Sequence, residues 1–177
     1  MNLAARMSHL QFIRWLVPSA ESGSWYPNRF MDPIGANEPF LSQAVEQCHE
    51  AVGEASEGGR IAPERIAVVG FSQGACVAIE YVLRHPGCCG ILIAFTGALM
   101  GRQGRNLDYS VKPLTGLRAL ITGSDADEWI AEAFSRETGR ILAELGAEVK
   151  LRIYSARPHI VNEDELREAR TLLESRL

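Results

Sequence analysis

The 177-residue chain carries a formal net charge of −4 and contains 46% hydrophobic and 23% charged residues. This composition predicts one well-buried globular domain over residues 1–177. The acidic balance, without any basic block, argues against a nucleic-acid partner, and no apolar run has the length of a membrane span. The four cysteines form no C-x-x-C pair, which predicts no metal site and a reducing, cytoplasmic setting.

Five short apolar runs predict strands, and helical patterns separate most of them. The runs are mostly continuous, as in parallel strands that are covered on both faces. The predicted strands are Phe12–Val17, Ile66–Val69, Ile91–Phe95, Leu117–Ile121 and Val149–Tyr154. The predicted helices are Glu38–Ser56, Gln73–Arg84, Ala131–Leu145 and Glu163–Leu177, the last with Asn162 as its N-cap. This alternation indicates an α/β sandwich around a mostly parallel sheet, with active groups at the carboxyl ends of the strands.

The second predicted strand runs directly into Gly70-Phe71-Ser72-Gln73-Gly74, and an apolar helix follows at once. Gly-x-Ser-x-Gly between a strand and a helix is typical of a nucleophile elbow. We expect the two glycines to remove side chains that would collide in the tight turn, and Ser72 to be strained with its Oγ exposed. The backbone N–H of Gln73 is the predicted oxyanion donor. A purely structural turn is the alternative, whereas a dinucleotide fingerprint is excluded because residue 72 is serine.

A nucleophilic serine needs a histidine base, which in hydrolases with this elbow follows the serine in the chain. His9 and His49 precede Ser72, and His85 falls at the end of the elbow helix. His159, just past the last predicted strand, is therefore the predicted base. A solvated loop histidine is the alternative for this residue.

The orienting acid should lie between the serine and the histidine, after strand Leu117–Ile121. The segment TGSDADEWI offers Asp125, Asp127 and Glu128 there. Such serial acids also cap helices, so the spacing alone leaves Asp125 and Asp127 open.

Several segments of the chain together resemble the phospholipase/carboxylesterase family of α/β-hydrolases, the group that includes acyl-protein thioesterases. GFSQGACVAIEY is similar to the family's nucleophile segment, SGSWYPNRF to its substrate loop and NEPFLSQAVEQCHEAV to the helix that follows. GSDADEWI resembles the acid loop, and AEVKLRIYSARPHIVNEDEL resembles the final strand, catalytic histidine and last helix. The similarity is colinear from about Val17 to the C-terminus.

The resemblance implies an α/β-hydrolase-like three-layer sandwich with a mostly parallel sheet, shortened at its N-terminus. It implies a serine hydrolase of carboxylesterase, lysophospholipase or acyl-thioesterase type that acts on a small-molecule or lipid ester. Ser72 would be the nucleophile, His159 the base and Asp127 the acid, which is favoured over Asp125 because it precedes the x-x-Ile part of the acid loop. No metal or organic cofactor is expected.

Apolar residues near the predicted elbow are expected to form a slot for the acyl group. The predicted substrate-binding residues are Trp25 and Tyr26 after the first strand, Phe71 in the elbow and Leu99 after the third strand. Ordinary core packing is the alternative for each of them.

Two single-residue departures from the family pattern lie beside the predicted acid and base. Glu128 stands where the family has a proline after the acid. Pro158 stands where the family has a glycine before the histidine, and because proline fixes φ we expect it to re-aim the histidine loop.

The largest departure is that the family's first strand and its L-H-G-x-G-like loop, which supplies a second oxyanion N–H, have no counterpart before Ser72. In the family this strand lies between those that match Phe12–Val17 and Ile66–Val69. We therefore expect either a contracted sheet with these two strands side by side, or an intermolecular pairing that makes a homodimer. The same departure leaves a second hypothesis open, a catalytically weakened hydrolase-like binding or interaction module.

Overall fold

Four parallel strands form the sheet at the centre of the computed structural model, which describes residues 3–7, 10, 13–20, 23–104 and 113–175. The strands are β1 (Ala67–Phe71), β2 (Ile91–Phe95), β3 (Arg118–Ser124) and β4 (Glu148–Tyr154). Their spatial order is β1-β2-β3-β4, and all three neighbouring pairs are parallel. The carboxyl ends of all four strands therefore meet at one edge, where the loops that follow them lie close together.

Helices cover both faces of the sheet, as the continuous apolar runs predict. The helices are α1 (Leu3–Arg6), α2 (Phe40–Ala55), α3 (Gln73–Arg84), α4 (Glu132–Glu144) and α5 (Glu163–Glu174). Alternate residues of β2 divide between the two layers. Leu92 and Ala94 belong to the hydrophobic cluster with α2, α3 and α4, whereas Ile93 belongs to the cluster with α5. Among the described residues, no helix combines the length and the apolar character that crossing a membrane requires.

Four of the five predicted strands and all four predicted helices are confirmed within a few residues at each end. The last helix begins as expected, because the Asn162 side chain accepts from the Glu165 N–H while the Glu165 carboxylate accepts from the Asn162 N–H. This reciprocal capping satisfies two backbone donors that a helix start otherwise leaves unpaired.

The predicted strand Phe12–Val17 is wrong over its described part, because residues 13–17 are coil outside the sheet, while Phe12 lies outside the described residues. A cavity of about 630 Å³ lies between the chain at residues 13–18 and β1. A contracted sheet with these two segments side by side was therefore a wrong expectation. A strand requires a hydrogen-bonded neighbour, and none borders this segment in the described chain. The intermolecular pairing stays a prediction.

In the part of the chain that the structure describes, no strand pairs with the side of β1 that faces this cavity, which is therefore called the free β1 edge. The Ile66 carbonyl accepts from Gly90 N–H and the Ser72 N–H donates to the Phe95 carbonyl, both toward β2. Successive residues of a strand in a parallel sheet direct their backbone groups to opposite sides, so those of Ala67, Val69 and Phe71 point toward the cavity. The cavity thus combines apolar side chains with backbone donors and acceptors of an edge strand.

Candidate active site

The turn from β1 into α3 has the strained geometry of a nucleophile elbow. Ser72 has φ 55° and ψ −123°, in the left-handed half of the map that non-glycine residues rarely adopt. A Cβ on Gly70 would lie 2.3 Å from the carbonyl oxygen of Gly74, so this glycine is required for the turn to close. A Cβ on Gly74 would come no closer than 3.6 Å to Trp25 Nε1, which is an ordinary contact. The expectation that both glycines prevent a collision therefore holds for Gly70 alone.

Ser72, His159 and Asp127 form one continuous hydrogen-bonded chain. His159 Nε2 lies 2.8 Å from Ser72 Oγ, and His159 Nδ1 lies 3.0 Å from each carboxylate oxygen of Asp127. An ionised carboxylate only accepts, so Nδ1 carries the proton and Nε2 is left to accept from the serine hydroxyl. The Asp127 carboxylate is fully buried and also accepts from two backbone N–H groups, those of Trp129 and Ile130, at 2.9 Å each. These bonds fix the carboxylate against the imidazole.

Asp125, the alternative acid, is engaged elsewhere. Its carboxylate accepts from Ser155 Oγ at 3.0 Å and from the Ala156 N–H at 2.7 Å, and its own N–H donates to the Tyr154 carbonyl. These contacts tie the loop after β3 to the loop after β4. The geometry therefore associates Asp127 with the histidine and gives Asp125 a structural contact.

Gln73 is the first residue of α3, and within the described chain its N–H has no hydrogen-bond acceptor. This N–H is available to an oxyanion beside Ser72, and the helix N-terminus adds a favourable electrostatic field.

The Gln73 side chain makes contacts that the sequence did not reveal. Its Oε1 accepts from Ser24 Oγ and from the Trp25 N–H at 3.1 Å each, and its Nε2 donates to the Tyr26 carbonyl at 3.2 Å. The amide thus holds residues 24–26 against the elbow.

Apolar side chains surround the imidazole and the elbow. The Phe71 ring lies 5.1 Å from the His159 ring, centroid to centroid, and the Trp129 ring lies 6.4 Å from it. Trp129 is 68% exposed and Ile160, next to His159, is 48% exposed, and neither was identified from the sequence. Trp25 is half-buried and lines the 630 Å³ cavity together with Phe71.

Tyr26 and Leu99, two of the predicted substrate-binding residues, are core residues. Both are buried, and both belong to the hydrophobic cluster between the sheet and helices α2, α3 and α4. Burial raises the pKa of the Tyr26 hydroxyl far above its usual range, and its partner is the thiol of Cys76. The Leu99 N–H donates to Thr138 Oγ1 at 2.8 Å. Neither residue lines the cavity beside the elbow.

Over the described ranges, no group of three or more histidine, cysteine, aspartate or glutamate side chains could hold a metal ion. The described contacts bring together a serine, a histidine, an aspartate, a helix N-terminus and apolar neighbours.

The parallel sheet, the strand–turn–helix elbow and the histidine loop after the last strand define an α/β-hydrolase fold. The chain belongs to the phospholipase/carboxylesterase family, whose model matches residues 15–177, and it is therefore a hydrolase of the esterase type. No curated protein matches the chain.

Solved structures of esterases resemble the chain over most of its length. A phospholipase/carboxylesterase from Dyadobacter fermentans is 32% identical with a TM-score of 0.81, over 88% of this chain and 73% of its own. A carboxylesterase from Bacillus cereus is 18% identical with a TM-score of 0.67, over 84% of this chain and 69% of its own. A carboxylesterase from Mesorhizobium loti is 22% identical with a TM-score of 0.65, over 85% of this chain and 72% of its own. The two more distant structures support the fold alone.

Proposed function

We propose that the protein is a serine hydrolase that cleaves carboxylic esters or thioesters through Ser72, His159 and Asp127. The observation that carries this proposal is the unbroken hydrogen-bonded chain from Ser72 Oγ through the imidazole to the buried Asp127 carboxylate, with contacts of 2.8 and 3.0 Å. A carboxylate, an imidazole and a strained serine in this order are the parts of a nucleophilic acyl-transfer site.

The reaction follows from the positions of the donors and acceptors. Ser72 Oγ attacks the carbonyl carbon while His159 Nε2 takes its proton, and Asp127 stabilises the imidazolium. The Gln73 N–H donates to the oxyanion of the tetrahedral intermediate. The imidazolium then returns the proton to the leaving alcohol or thiol, and water releases the acyl group from Ser72 by the same steps.

The substrate class rests on the apolar surroundings of Ser72. Phe71, Trp25 and the exposed Trp129 favour an ester with an apolar acyl or alcohol part, such as a small carboxylic ester or a lipid ester. The names of the related proteins, phospholipase and carboxylesterase, are consistent with both. The four free thiols support a reducing, cytoplasmic setting.

The proposal is tested by labelling with a fluorophosphonate, which reacts with activated serines, and by turnover of a p-nitrophenyl ester. Ser72→Ala should lose both, whereas the matched control Ser56→Ala, in the turn after α2, should retain both. Turnover at the wild-type rate in Ser72→Ala would refute the proposal.

A second candidate function, a weakened hydrolase-like binding module, is favoured by the free β1 edge and the cavity beside the elbow. Loss of one of two oxyanion donors lowers kcat by about 10²–10³-fold in comparable enzymes. Ester binding without either labelling of Ser72 or turnover would support this second function against the first.

A further inference from the structure

Arg157 is a buried cation two residues before His159, in the loop after β4. Its side chain is only 4% exposed. Its Nη1 donates to the Pro158 carbonyl at 2.8 Å and to the Ile160 carbonyl at 2.5 Å. These two carbonyls belong to the residues on either side of His159. One nitrogen therefore holds the backbone both before and after the imidazole.

Arg157 is itself anchored near the carboxyl ends of β2 and β3 and to helix α5. Its Nη2 donates to Thr96 Oγ1 at 3.1 Å, just past β2. Its Nε lies 3.5 Å from Glu165 Oε2, and the fully buried Glu165 carboxylate accepts from Thr122 Oγ1 in β3 at 2.5 Å. The Arg157 carbonyl accepts from the buried Ser124 Oγ at 2.6 Å. Side chain and backbone of Arg157 thus connect the histidine loop to the carboxyl ends of β2 and β3 and to α5.

A buried ion pair is a poor way to gain stability, because the desolvation of two charges offsets most of their attraction. The planar guanidinium, with five donors in a fixed arrangement, is instead suited to holding several acceptors in one geometry. The guanidinium reaches two backbone carbonyls through Nη1, the Thr96 hydroxyl through Nη2 and the Glu165 carboxylate beside Nε, and a lysine ammonium would have to serve all of them from one nitrogen. The arrangement therefore favours a role in geometry.

The loop has a special need for such a contact, because Pro158 lacks an N–H and fixes its own φ. Ala156, two residues earlier, has φ 54°, so the chain bends sharply before the proline. The Ile160 N–H donates back to the Pro158 carbonyl at 2.7 Å, which closes a tight turn around His159. Both carbonyls of this turn converge on the Arg157 nitrogen.

We propose that Arg157, with Glu165 as its anchor, is a positioning residue that sets the His159 loop so that Nε2 meets Ser72 Oγ. This inference rests on the proposed function, in which His159 is the base. Arg157 contacts neither the substrate nor the reacting atoms and acts through the backbone on both sides of the histidine.

Two variants test this role while limiting the damage to folding. Arg157→Lys keeps a cation opposite Glu165 but cannot bond both flanking carbonyls and Thr96 together. Arg157→Met with Glu165→Gln removes both charges and leaves no unpaired buried carboxylate. The matched control is Arg152→Met with Glu168→Gln, which removes an exposed ion pair between β4 and α5.

We expect kcat for a p-nitrophenyl ester to fall about 10²-fold in both Arg157 variants, as for a catalytic group displaced by about 1 Å. KM should change far less, Arg157→Lys should retain a melting temperature near that of the wild type, and the control should keep the wild-type kcat. The low-field ¹H resonance of the His159 Nδ1–H should broaden in Arg157→Lys and stay sharp in the control.

Wild-type kcat and a sharp Nδ1–H resonance in Arg157→Lys would overturn the inference. The same holds if kcat falls only in proportion to a loss of folded protein. The proposed function fails separately, because it requires Ser72→Ala to be inactive whatever the Arg157 variants do.

Discussion

The two flanks of Ser72 are built very differently. On the β4 flank, His159 and Asp127 are held by hydrogen bonds from side chains and backbone, and the acid is fully buried. On the β1 flank, a free strand edge, a cavity of about 630 Å³ and a coil segment replace close packing. All the groups of the proposed proton transfer therefore lie within the described chain, whereas the proposed oxyanion site has one candidate donor there, the Gln73 N–H.

Asp127, the carboxylate on the β4 flank, should affect catalysis far more than Asp125 does. Asp127→Asn should lower kcat by about 10⁴-fold, because an amide no longer holds the imidazole in the productive tautomer. Asp125→Asn, the matched control, loses one loop contact and should affect unfolding more than turnover. Steady-state kinetics and thermal unfolding of both variants measure this, and the reverse ranking would assign the acid to Asp125.

Close packing where β1 meets α3 should make Gly70 irreplaceable. Gly70→Ala places a Cβ 2.3 Å from a backbone oxygen of Gly74, so we expect a loss of about 3 kcal/mol in the free energy of unfolding. Gly74→Ala has only an ordinary contact with Trp25 and gains helix propensity, so its unfolding free energy should rise by about 0.5–1 kcal/mol. Urea titration measures the free energy of unfolding of both variants, and an equal loss of stability in the two would contradict the described turn.

The cavity on the β1 flank should accept added volume. Ala78 lines it, so Ala78→Leu should raise the free energy of unfolding by about 1 kcal/mol. Ala94 in β2 is fully buried in packed surroundings, so Ala94→Leu should lower it by about 1–3 kcal/mol. Urea titration distinguishes the two, and a destabilised Ala78→Leu would mean that the cavity is closed in solution.

Selectivity for the length of the acyl chain should indicate whether the chain binds on the β1 flank, in the cavity, or on the histidine flank. Trp25 lines the cavity, so Trp25→Ala should lower kcat/KM for a p-nitrophenyl octanoate relative to the acetate by about 10-fold, as apolar pocket contacts do. Trp129→Ala, on the histidine flank, should change this ratio less. If Trp25→Ala affects both esters equally, Trp25 is a packing residue and the cavity does not hold the acyl chain.

Much of the fold could be predicted because its determinants are local. The apolar runs and their spacing predicted β2, α3 and the N-cap Asn162, each confirmed by the structure. The strand Phe12–Val17 failed because an apolar run becomes a strand only beside a hydrogen-bonding neighbour. Periodicity within a segment contains no information about that neighbour.

In the candidate site, too, the features with local determinants could be predicted from the sequence, whereas those that depend on distant residues could not. Strand, serine and helix follow one another in the chain, so the elbow at Ser72 was visible in the sequence. The spacing between Asp125 and Asp127 was not informative, because each carboxylate finds its partner more than thirty residues away in the loop after β4. Apolar character also did not separate Trp129 at the surface from Tyr26 and Leu99 in the core.

Local sterics and covalent order govern the strand–helix alternation, the strained elbow and the chain order of the candidate serine, acid and histidine, so these features could be predicted from the sequence. The packing of separate elements in three dimensions fixed which carboxylate meets His159, which apolar side chains lie beside the elbow and that a cavity borders the edge of β1. It also decided that Arg157, next to Pro158, reaches around His159 to two backbone carbonyls and to Glu165 on the next helix. Such contacts depend on how separate elements pack, and packing is fixed by the whole core rather than by any one segment.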